Sequence, residues 1–403
     1  MTITKGLPDY HHVPAGAGAG TLPAKIFRPI SFSLMPTRRN FLQAGTAAAT
    51  TLALSPLLAG CGSGDYEAAA NAARQPTGAA GNELRELVRL ATLAPSGHNT
   101  QPWKFRLGAG RIQLYPDLTR RVPVVDPDNR ELWISLGSAL ENLLVAAAHF
   151  GYQAETTYHL AGTPDDHIAV ALHKTGPAPA GRSALFEAIP LRQSTRGTYD
   201  GQPVPGTELR QLEAAATGAG VTPLLFTGAA AMQPLLEYVV AGNEQQLSND
   251  DFKQELVRWL RFNDREALAS RDGLLSRGSG NPSLPRWVAS FFIGGSLKPA
   301  AQSKKDEEHI RSSAGLLLFA STENNPAAWL EIGRASERFA LLATTLNLKC
   351  AYLNQPGEVP AVRAQVQSQL SLHGAFPQLL MRFGHGPAMP RSLRRPVSEV
   401  MTS

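Results

Sequence analysis

WISLGSALE (residues 133–141) occurs a second time, slightly changed, as WLEIGRASE (residues 329–337), and this repeated stretch decides the fold. The offset of 196 residues keeps Trp, Gly, Ala and Glu in step. Both copies continue with apolar residues at a period of 3.6, as far as Phe150 and Leu346, which predicts two long amphipathic helices. Similarity at a fixed offset indicates an internal repeat.

The segments around the two helices repeat as well. Extended segments follow them at 152–158 and 350–353, and apolar strands come later at 167–173 and 378–383. ELREL (83–87) and ELRQL (208–212) each open an alanine-rich helix. The order helix, strand, long helix, strand predicts two tandem α+β halves with mixed sheets, the first over 81–182 and the second over 183–403.

Composition excludes several classes of protein. A chain of 403 residues that is 43% hydrophobic and 18% charged is a soluble globular protein with a large core, not a disordered one. Two cysteines exclude a disulfide scaffold. Residues 1–60 hold five basic residues against one acidic residue, so +4 of the net +5 belongs to them and +1 to the rest. A nearly neutral body carries no electrostatic footprint for nucleic acid.

The basic leader, residues 1–61, is interpreted as an export signal. Arg38 and Arg39 precede an uncharged stretch that runs to Gly60, as in a twin-arginine signal, with Met35 as an alternative start. LAGC (58–61) resembles the lipobox of bacterial lipoproteins, in which the cysteine, here Cys61, is lipidated. The alternative is an uncleaved membrane helix. We therefore expect export by the twin-arginine machinery, a lipid anchor on the periplasmic side and a flexible tether over 62–80.

Two short motifs and a basic C-terminal segment provide the candidate binding residues. PSGHNTQPW (95–103) lies on a Pro/Gly loop after a helix, where side chains and backbone amides can meet a ligand. RQSTR (192–196) places alternate residues on one side if it is extended, which suits a single anion. RSLRRP (391–396) is the basic C-terminal segment. The alternatives are a turn that leads into the strand from Trp103 and a solvated Arg/Ser turn.

These segments resemble motifs of the nitroreductase family of FMN flavoproteins. PSGHNTQPW is similar to the family's PSxxNxQPW segment, RQSTR to its RxSxR phosphate motif and RSLRRP to its closing basic clamp. The similarity extends over residues 81–400. It implies a nitroreductase-like fold and FMN contacts from Pro95, Ser96, Gly97, Asn99, Arg192, Ser194, Arg196, Arg394 and Arg395.

The resemblance also implies how the halves are used. Members of the family are homodimers with FMN at the interface, RxSxR coming from one chain and PSxxN from the other. Here each half keeps one of those motifs, so the chain is expected to be an intramolecular pseudo-dimer, a monomer with one FMN site. This arrangement is similar to the two-halved Acg branch of the family, in which a lid covers the flavin.

Further positions follow from the same resemblance. The cation near flavin N1 and the C2 carbonyl corresponds to Lys305 or His309, with His309 in the best register and a helix-face histidine as the alternative. Gln355 lies in the turn that offers a backbone amide to flavin N5 in relatives. Residues 264–305 have no equivalent in the front half and are interpreted as an insertion, either a lid or an interface or membrane-touching loop.

Other chemistry is not indicated. Histidines and cysteines never fall at metal-ligand spacing, so no metal site is expected. We expect Cys350 and Trp103 to be buried and His98 to have no catalytic role. The first hypothesis is an FMN-dependent oxidoreductase that passes electrons by a ping-pong reaction from NAD(P)H or another donor to an electron-poor small molecule. The second is an FMN-sequestering protein with little catalysis, and the third is a cofactor-free solute-binding lipoprotein.

Overall fold

The computed structural model describes residues 63–76, 83–176, 183–370, 372 and 374–402. The twin arginines Arg38 and Arg39, the lipobox and its Cys61 all lie outside the described residues, so the predictions about the leader stay predictions.

The first part of the chain forms three helices and four strands, and its 3₁₀ turns lie at Gly97–Asn99 and Leu118–Arg120. These elements are α1 (Ser63–Ala72), α2 (Glu83–Ala91), β1 (Trp103–Gly108), β2 (Arg111–Pro116), α3 (Arg130–His149), β3 (Tyr152–His159) and β4 (His167–Lys174).

The second part opens with three helices around one strand, followed by the segment that has no counterpart in the front half. These elements are α4 (Ala184–Ala188), α5 (Gly206–Ala216), β5 (Val221–Thr227), α6 (Ala229–Ser248), α7 (Asp250–Trp259), β6 (Leu260–Arg261), α8 (Asp264–Ser270), β7 (Leu274–Leu275), α9 (Arg286–Ser296) and α10 (Pro299–Arg311). The rest are β8 (Gly315–Ser321), α11 (Pro326–Thr345), β9 (Lys349–Tyr352), α12 (Gln355–Glu358), α13 (Pro360–Gln369), β10 (Phe376–Gly384) and α14 (Val397–Val400).

The two halves have the same sheet topology. Their four-stranded sheets run in the order β1-β2-β4-β3 and β5-β8-β10-β9, with α3 and α11 as the crossover helices. The prediction of two tandem α+β units is therefore confirmed. Every pairing between the named strands of these two sheets is antiparallel, and the parallel pairings that the prediction of mixed sheets requires occur only as single bridges at the sheet edges. Each crossover helix joins two parallel strands, but β4 or β10 lies between them.

The halves meet where α3 crosses α11. A Cβ on Gly137 would overlap the carbonyl oxygen of Leu330, and a Cβ on Gly333 would overlap that of Ile134. These four residues are two pairs at the repeat offset of 196, so the contact is a pseudo-twofold one. Ser138 Oγ also donates to the Gly333 carbonyl at 3.1 Å. Only glycine at both positions permits this backbone approach.

Short segments are exchanged between the halves at the sheet edges. Met401 forms a parallel bridge with Phe105 in β1, so the C-terminal segment of the back half extends the front sheet. Ser194 forms a parallel bridge with Cys350 in β9. Trp103 and Cys350 are buried, as predicted. Among the described residues, α3 alone is long and apolar enough to span a membrane, but most of its residues are buried in the core.

The segment after the leader is not the tether that its composition predicted over residues 63–76. It contains α1, and the Tyr66 side chain is only 1% exposed. The Tyr66 hydroxyl donates to the carbonyl of Arg391 at 2.6 Å, and the Arg277 guanidinium lies 4.5 Å from its ring centroid. Ala70 packs with Ala267 of α8 in the same cluster as Tyr66, and Arg74 donates to the Ser392 carbonyl at 3.1 Å, so α1 is docked on the body.

We predict that Gly333→Ala destabilises the fold by about 3 kcal/mol or more, because the added methyl group overlaps backbone that cannot move independently. Urea unfolding followed by circular dichroism measures the effect, and loss of soluble protein is the extreme form of the same result. Gly294→Ala is the matched control, since a methyl group on this helical glycine would meet no atom within 4 Å, and alanine there should stabilise by about 0.5–1 kcal/mol. Equal stability of Gly333→Ala and the parent would contradict the close crossing.

Candidate functional site

A cavity of about 610 Å³ lies between the halves. The front half contributes the loop 95–98 and side chains of α3, and the back half contributes Arg196, β9, α12 and Arg382. Side chains from α6, α7 and the 264–305 segment line the remaining side, among them Phe252 and Leu284. Its volume and mixed lining are typical of a small-molecule or cofactor site.

Six of the eleven predicted site residues line this cavity: Pro95, Ser96, Gly97, Arg196, His309 and Gln355. The front-half loop and the back-half RQSTR motif therefore meet at one wall, although they lie about a hundred residues apart in the sequence. The other five do not line it, namely Asn99, Arg192, Ser194, Arg394 and Arg395.

The loop from the front half has an unusual backbone. His98, Asn99 and Gln101 have φ angles of 48°, 54° and 54°, a left-handed conformation that non-glycine residues adopt at an energetic cost. Ser96 Oγ accepts a hydrogen bond from the Gln101 amide at 2.9 Å, and the Gly97 amide donates to Ser135 Oγ at 3.3 Å. The loop is thus held in one shape by contacts at both of its ends.

His98 is a functional candidate that sequence reasoning missed. Its side chain lines the cavity, and Nδ1 is buried without a hydrogen-bond partner in the described part of the chain. Burial, with a smaller contribution from the nearby Arg196 charge, lowers the pKa of His98 to about 4. The imidazole is therefore neutral at pH 7 and has one ring nitrogen available to a ligand.

Asn99 and Arg394 support the loop from behind. The Arg394 guanidinium donates to the carbonyls of Thr92, Leu93 and Ala94 at 2.8–3.0 Å and to Asn99 Oδ1 at 3.0 Å. It thereby satisfies backbone acceptors that follow the C-terminus of α2. Because its donors are committed to these oxygens, Arg394 positions the loop and does not face the cavity.

Arg192 and Arg395 are also engaged elsewhere. Arg192 Nε lies 3.0 Å from Glu337 Oε1, without the alignment of a hydrogen bond, and both side chains are buried. Another Arg192 nitrogen donates to the Leu93 carbonyl at 3.1 Å. The Arg395 side chain lies between Asp117 and Glu399. Within RQSTR only Arg196 lines the cavity, since Glu337 balances the charge of Arg192 and Ser194 pairs with β9.

One end of the cavity is cationic. The Arg196 side chain makes no hydrogen bond or ion pair with any described residue, and burial lowers its pKa. Lys305 Nζ donates to the Ser279 carbonyl at 2.8 Å, and its pKa is lowered first by burial and further by Arg196. Two cations that share a partly desolvated site form a binding place for an anionic group such as a phosphate.

Arg382 holds the backbone that carries Arg196. It donates to the carbonyls of Thr195 at 3.1 Å and Gly197 at 2.7 Å, and it lies 3.9 Å from the ring centroid of Tyr199. Arg382 is 1% exposed and sits within an apolar strand, where a single arginine gives no sequence signal of its role.

Glu131 and Glu358 form a buried carboxyl pair in the cavity wall. Asn354 Nδ2 donates to Glu131, and Gln246 Nε2 donates to Glu358 at 2.6 Å. Burial raises the pKa of both carboxyl groups, and the charge of Glu358 raises the pKa of Glu131 further, against the smaller opposing effect of Arg130 at 3.3 Å from Glu131 Oε1. Two neighbouring carboxylates cannot both be ionised at low cost, so the pair retains a proton at pH values where exposed glutamates have none.

Gln355 and His309 both line the cavity, and Gln355 is held there by Asp306. Gln355 Nε2 donates to Asn243 Oδ1 and Asp306 Oδ2, both at 3.2 Å, and leaves its Oε1 buried without a partner. The pKa of His309 is lowered to about 4, first by burial and then by Arg382 and Lys305. His309 is therefore neutral, and the cation of this region is Lys305, one helical turn away.

Comparison with known proteins connects this arrangement to one family. The sequence model of the Nitroreductase family matches residues 189–385. "Putative NAD(P)H nitroreductase Rv3131" of Mycobacterium tuberculosis is 28% identical over 325 residues, which are 79% of this chain and 90% of the relative. "Putative NAD(P)H nitroreductase acg" of the same organism is 25% identical over 325 residues, 79% of this chain and 94% of the relative. Among solved structures, the FMN-dependent nitroreductase NfnB from Mycobacterium smegmatis in complex with NADPH is 14% identical with a TM-score of 0.37, covering 54% of this chain and 96% of that one.

We predict that Glu131→Gln flattens the pH dependence of stability above about pH 5. A carboxyl whose pKa is raised by folding stabilises the fold below its unfolded pKa and loses that contribution as the pH rises. The parent should therefore lose stability with rising pH, by at most about 1.4 kcal/mol per pH unit for one proton, and the variant should lose less. Urea unfolding between about pH 5 and 8 measures both slopes. Glu307→Gln, on the exposed surface of α10, should keep the parental slope, and an unchanged slope in Glu131→Gln would refute the shared proton.

Proposed function

We propose that the chain is an FMN-dependent oxidoreductase whose cofactor binds in the cavity between its halves. The proposal is supported by the match of residues 189–385 to the sequence model of the nitroreductase family. The observation that carries the proposal is the meeting of Pro95, Ser96 and Gly97 with Arg196 at one wall. In the family resemblance these two motifs come from different subunits of a dimer, and here they come from the two halves of one chain.

The residues of the cavity fit FMN. Arg196 and Lys305 would hold the phosphate, since Arg196 is a half-buried cation with no counter-ion among the described residues. His98 Nδ1 and Gln355 Oε1 are orphaned polar atoms that need a hydrogen-bonding partner. The phosphate clamp would be smaller than the resemblance implied, because Arg192 and Arg394 are engaged by protein oxygens.

The chemistry that FMN supplies when bound is reversible two-electron transfer. The chain's own contribution is to orient the donor and acceptor against one face and to exclude water with the apolar residues Ile134, Leu353 and Leu379. A hydride carries two electrons but one proton, so reduction of an acceptor such as a quinone needs a second proton. The carboxyl proton shared by Glu131 and Glu358 lies in the cavity wall and would supply it.

The names of the relatives support NAD(P)H as the electron donor in this proposal. The acceptor would be an electron-poor small molecule that enters after the donor has left, as in a ping-pong reaction. A monomer is expected, because α11 gives α3 the partner that a second subunit would otherwise provide.

We also propose export by the twin-arginine machinery and a lipid anchor at Cys61, on the basis of the leader sequence. Cell fractionation of a variant with Arg38 and Arg39 replaced by lysine tests the export signal.

The deciding experiment is the visible spectrum of the purified full-length chain, followed by anaerobic addition of NADPH and then NADH. We expect flavin absorption bands that bleach on addition of the nucleotide and return with a quinone or nitroaromatic acceptor. Protein that is folded and flavin-replete in its expression host but colourless would refute the cofactor assignment. Bound flavin that only dithionite reduces would refute the oxidoreductase.

Arg196→Ala should weaken FMN binding roughly ten- to a hundredfold, because it removes a charge-assisted contact to phosphate. Riboflavin, which has no phosphate, should bind the variant and the parent about equally, and fluorescence titration of both ligands gives the comparison. Arg311→Ala is the control, since Arg311 is half exposed and pairs with Glu307 on α10. An equal loss of FMN and riboflavin affinity would show that Arg196 acts on the fold and not on the phosphate.

One observation favours a second function, which is sequestration of FMN. Residues of the 264–305 segment, including Leu284, Phe292 and Ile293, line the cavity on the side away from the sheets. If this segment stays closed over the ring, the protein would store the cofactor without turnover. Rapid electron transfer from NAD(P)H to a quinone would exclude this alternative.

A further inference from the structure

We propose that the outer side of α9 binds the surface of an anionic lipid bilayer. The feature that points to a membrane is an aromatic face, defined as Trp287 and Phe291, with a basic groove along the same helix. This inference concerns a surface that the proposed oxidoreductase reaction does not require, and it can be tested independently of flavin.

The aromatic face is exposed to an unusual degree. Trp287 and Phe291 are 71% and 81% exposed, and they are the most exposed large hydrophobic side chains of the described ranges. Trp287 and Phe291 are four residues apart and therefore lie side by side on the helix surface. Soluble proteins leave single apolar residues exposed, whereas a cluster of large aromatic ones in one short helix marks a binding surface.

The opposite side of the same helix is already used. Ala289 is 7% exposed, and Ala289 and Ile293 line the cavity between the halves. Leu297, just after α9, packs with Leu247 and Phe252. The aromatic face is thus not the core-facing side of a helix that has been displaced, because α9 has a buried side of its own.

Basic side chains line a groove along the flank of α9, between its buried side and its aromatic face. A groove beside α9 contains Ile293 and Leu297 together with Lys253, Arg258 and Lys298. Lys253 pairs with Asp250, but the Arg258 and Lys298 side chains form no ion pair with any described residue. Aromatic rings at headgroup depth together with unpaired cations are the composition of helices that lie in the interface of an anionic membrane.

The same charges argue against a second copy of this chain as the occupant. A twofold contact through the aromatic face would bring Arg258 and Lys298 of both copies towards one another. The α3–α11 crossing already buries the apolar surface that joins the halves. An anionic bilayer can bind both groups, because the aromatic rings insert at the depth of the headgroups and the cations pair with the lipid phosphates.

The chain's first described helix packs on the same inserted segment that carries α9. α1 begins at Ser63 and packs against Ala267 and Leu275 of the 264–305 segment, and Arg277 pairs with Glu67. A lipid at Cys61, as proposed above, would be attached two residues before α1 and so would keep the segment that carries α9 near the bilayer.

The test is co-sedimentation of the full-length chain carrying Cys61→Ala with vesicles of phosphatidylcholine, with and without about one quarter phosphatidylglycerol. We expect binding to the anionic vesicles that is at least roughly tenfold stronger than to phosphatidylcholine alone. W287S/F291S should lose most of this binding, and R258A/K298A should lose only the preference for anionic lipid. L191S/V240S, which removes exposed apolar side chains elsewhere, should bind like the parent.

Two outcomes would overturn the proposal. Equal vesicle binding of W287S/F291S and its parent would assign the binding to another part of the chain. A concentration-dependent dimer that W287S/F291S abolishes, with no binding to vesicles, would assign the aromatic face to a second copy. Flavin content and bleaching by NADPH, measured on the same samples, should be unchanged in every variant, so failure of the membrane proposal is distinguishable from failure of the oxidoreductase.

Discussion

The close approach of Gly137 and Gly333 is the constraint on which the rest of the structure depends. It brings the backbones of α3 and α11 together without intervening side chains and relates Ile134 to Leu330 by a pseudo-twofold axis. α3 and α11 each connect two strands of their own sheet, and they do so in the same way in both halves. The crossing of the two helices therefore determines how the two sheets are placed relative to each other. The cavity then lies where a loop before α3 meets the strand after α11.

The residues that contact α3 and α11 differ between the two halves and break the pseudo-twofold symmetry. This difference explains why one FMN site is expected, where a homodimer would have two. Glu141 and Glu337 are equivalent under the repeat. Glu141 binds Arg334 and Arg338, both on the partner helix, whereas Glu337 lies against Arg192 from the segment between the halves. The buried carboxyl of Glu337, whose pKa is raised to about 7 by burial, thus holds the RQSTR segment at one of the two equivalent positions only.

The repeat, the strands and the meeting of the two motifs could all be predicted from sequence, because each depends on a local pattern or on symmetry. The assignment of individual arginines could not. Arg192, Arg196 and Arg394 have the same chemistry in the sequence, and only the folded chain determines that Glu337 and the carbonyls after α2 engage two of them. The Glu131–Glu358 pair could not be predicted from sequence for a similar reason, since its two members lie more than two hundred residues apart. Residues 62–80 were interpreted as a tether from their Gly, Ser, Ala, Asn and Pro content, yet the buried Tyr66 and the hydrogen bond of Arg74 to Ser392 fix α1 on the body.

The distribution of charge in the cavity limits what it can bind. Arg196 and Lys305 place positive charge at one end, while His98 and His309 are neutral and the carboxyl pair holds a proton. A ligand with an anionic group is therefore favoured beside Arg196 and Lys305. The remaining charges of the wall are compensated, since Arg130 lies 3.3 Å from Glu131 and Asp306 accepts hydrogen bonds from Asn243 and Gln302. In the proposed function the anionic group would be the flavin phosphate, and the proton held by the Glu131–Glu358 pair would serve the acceptor.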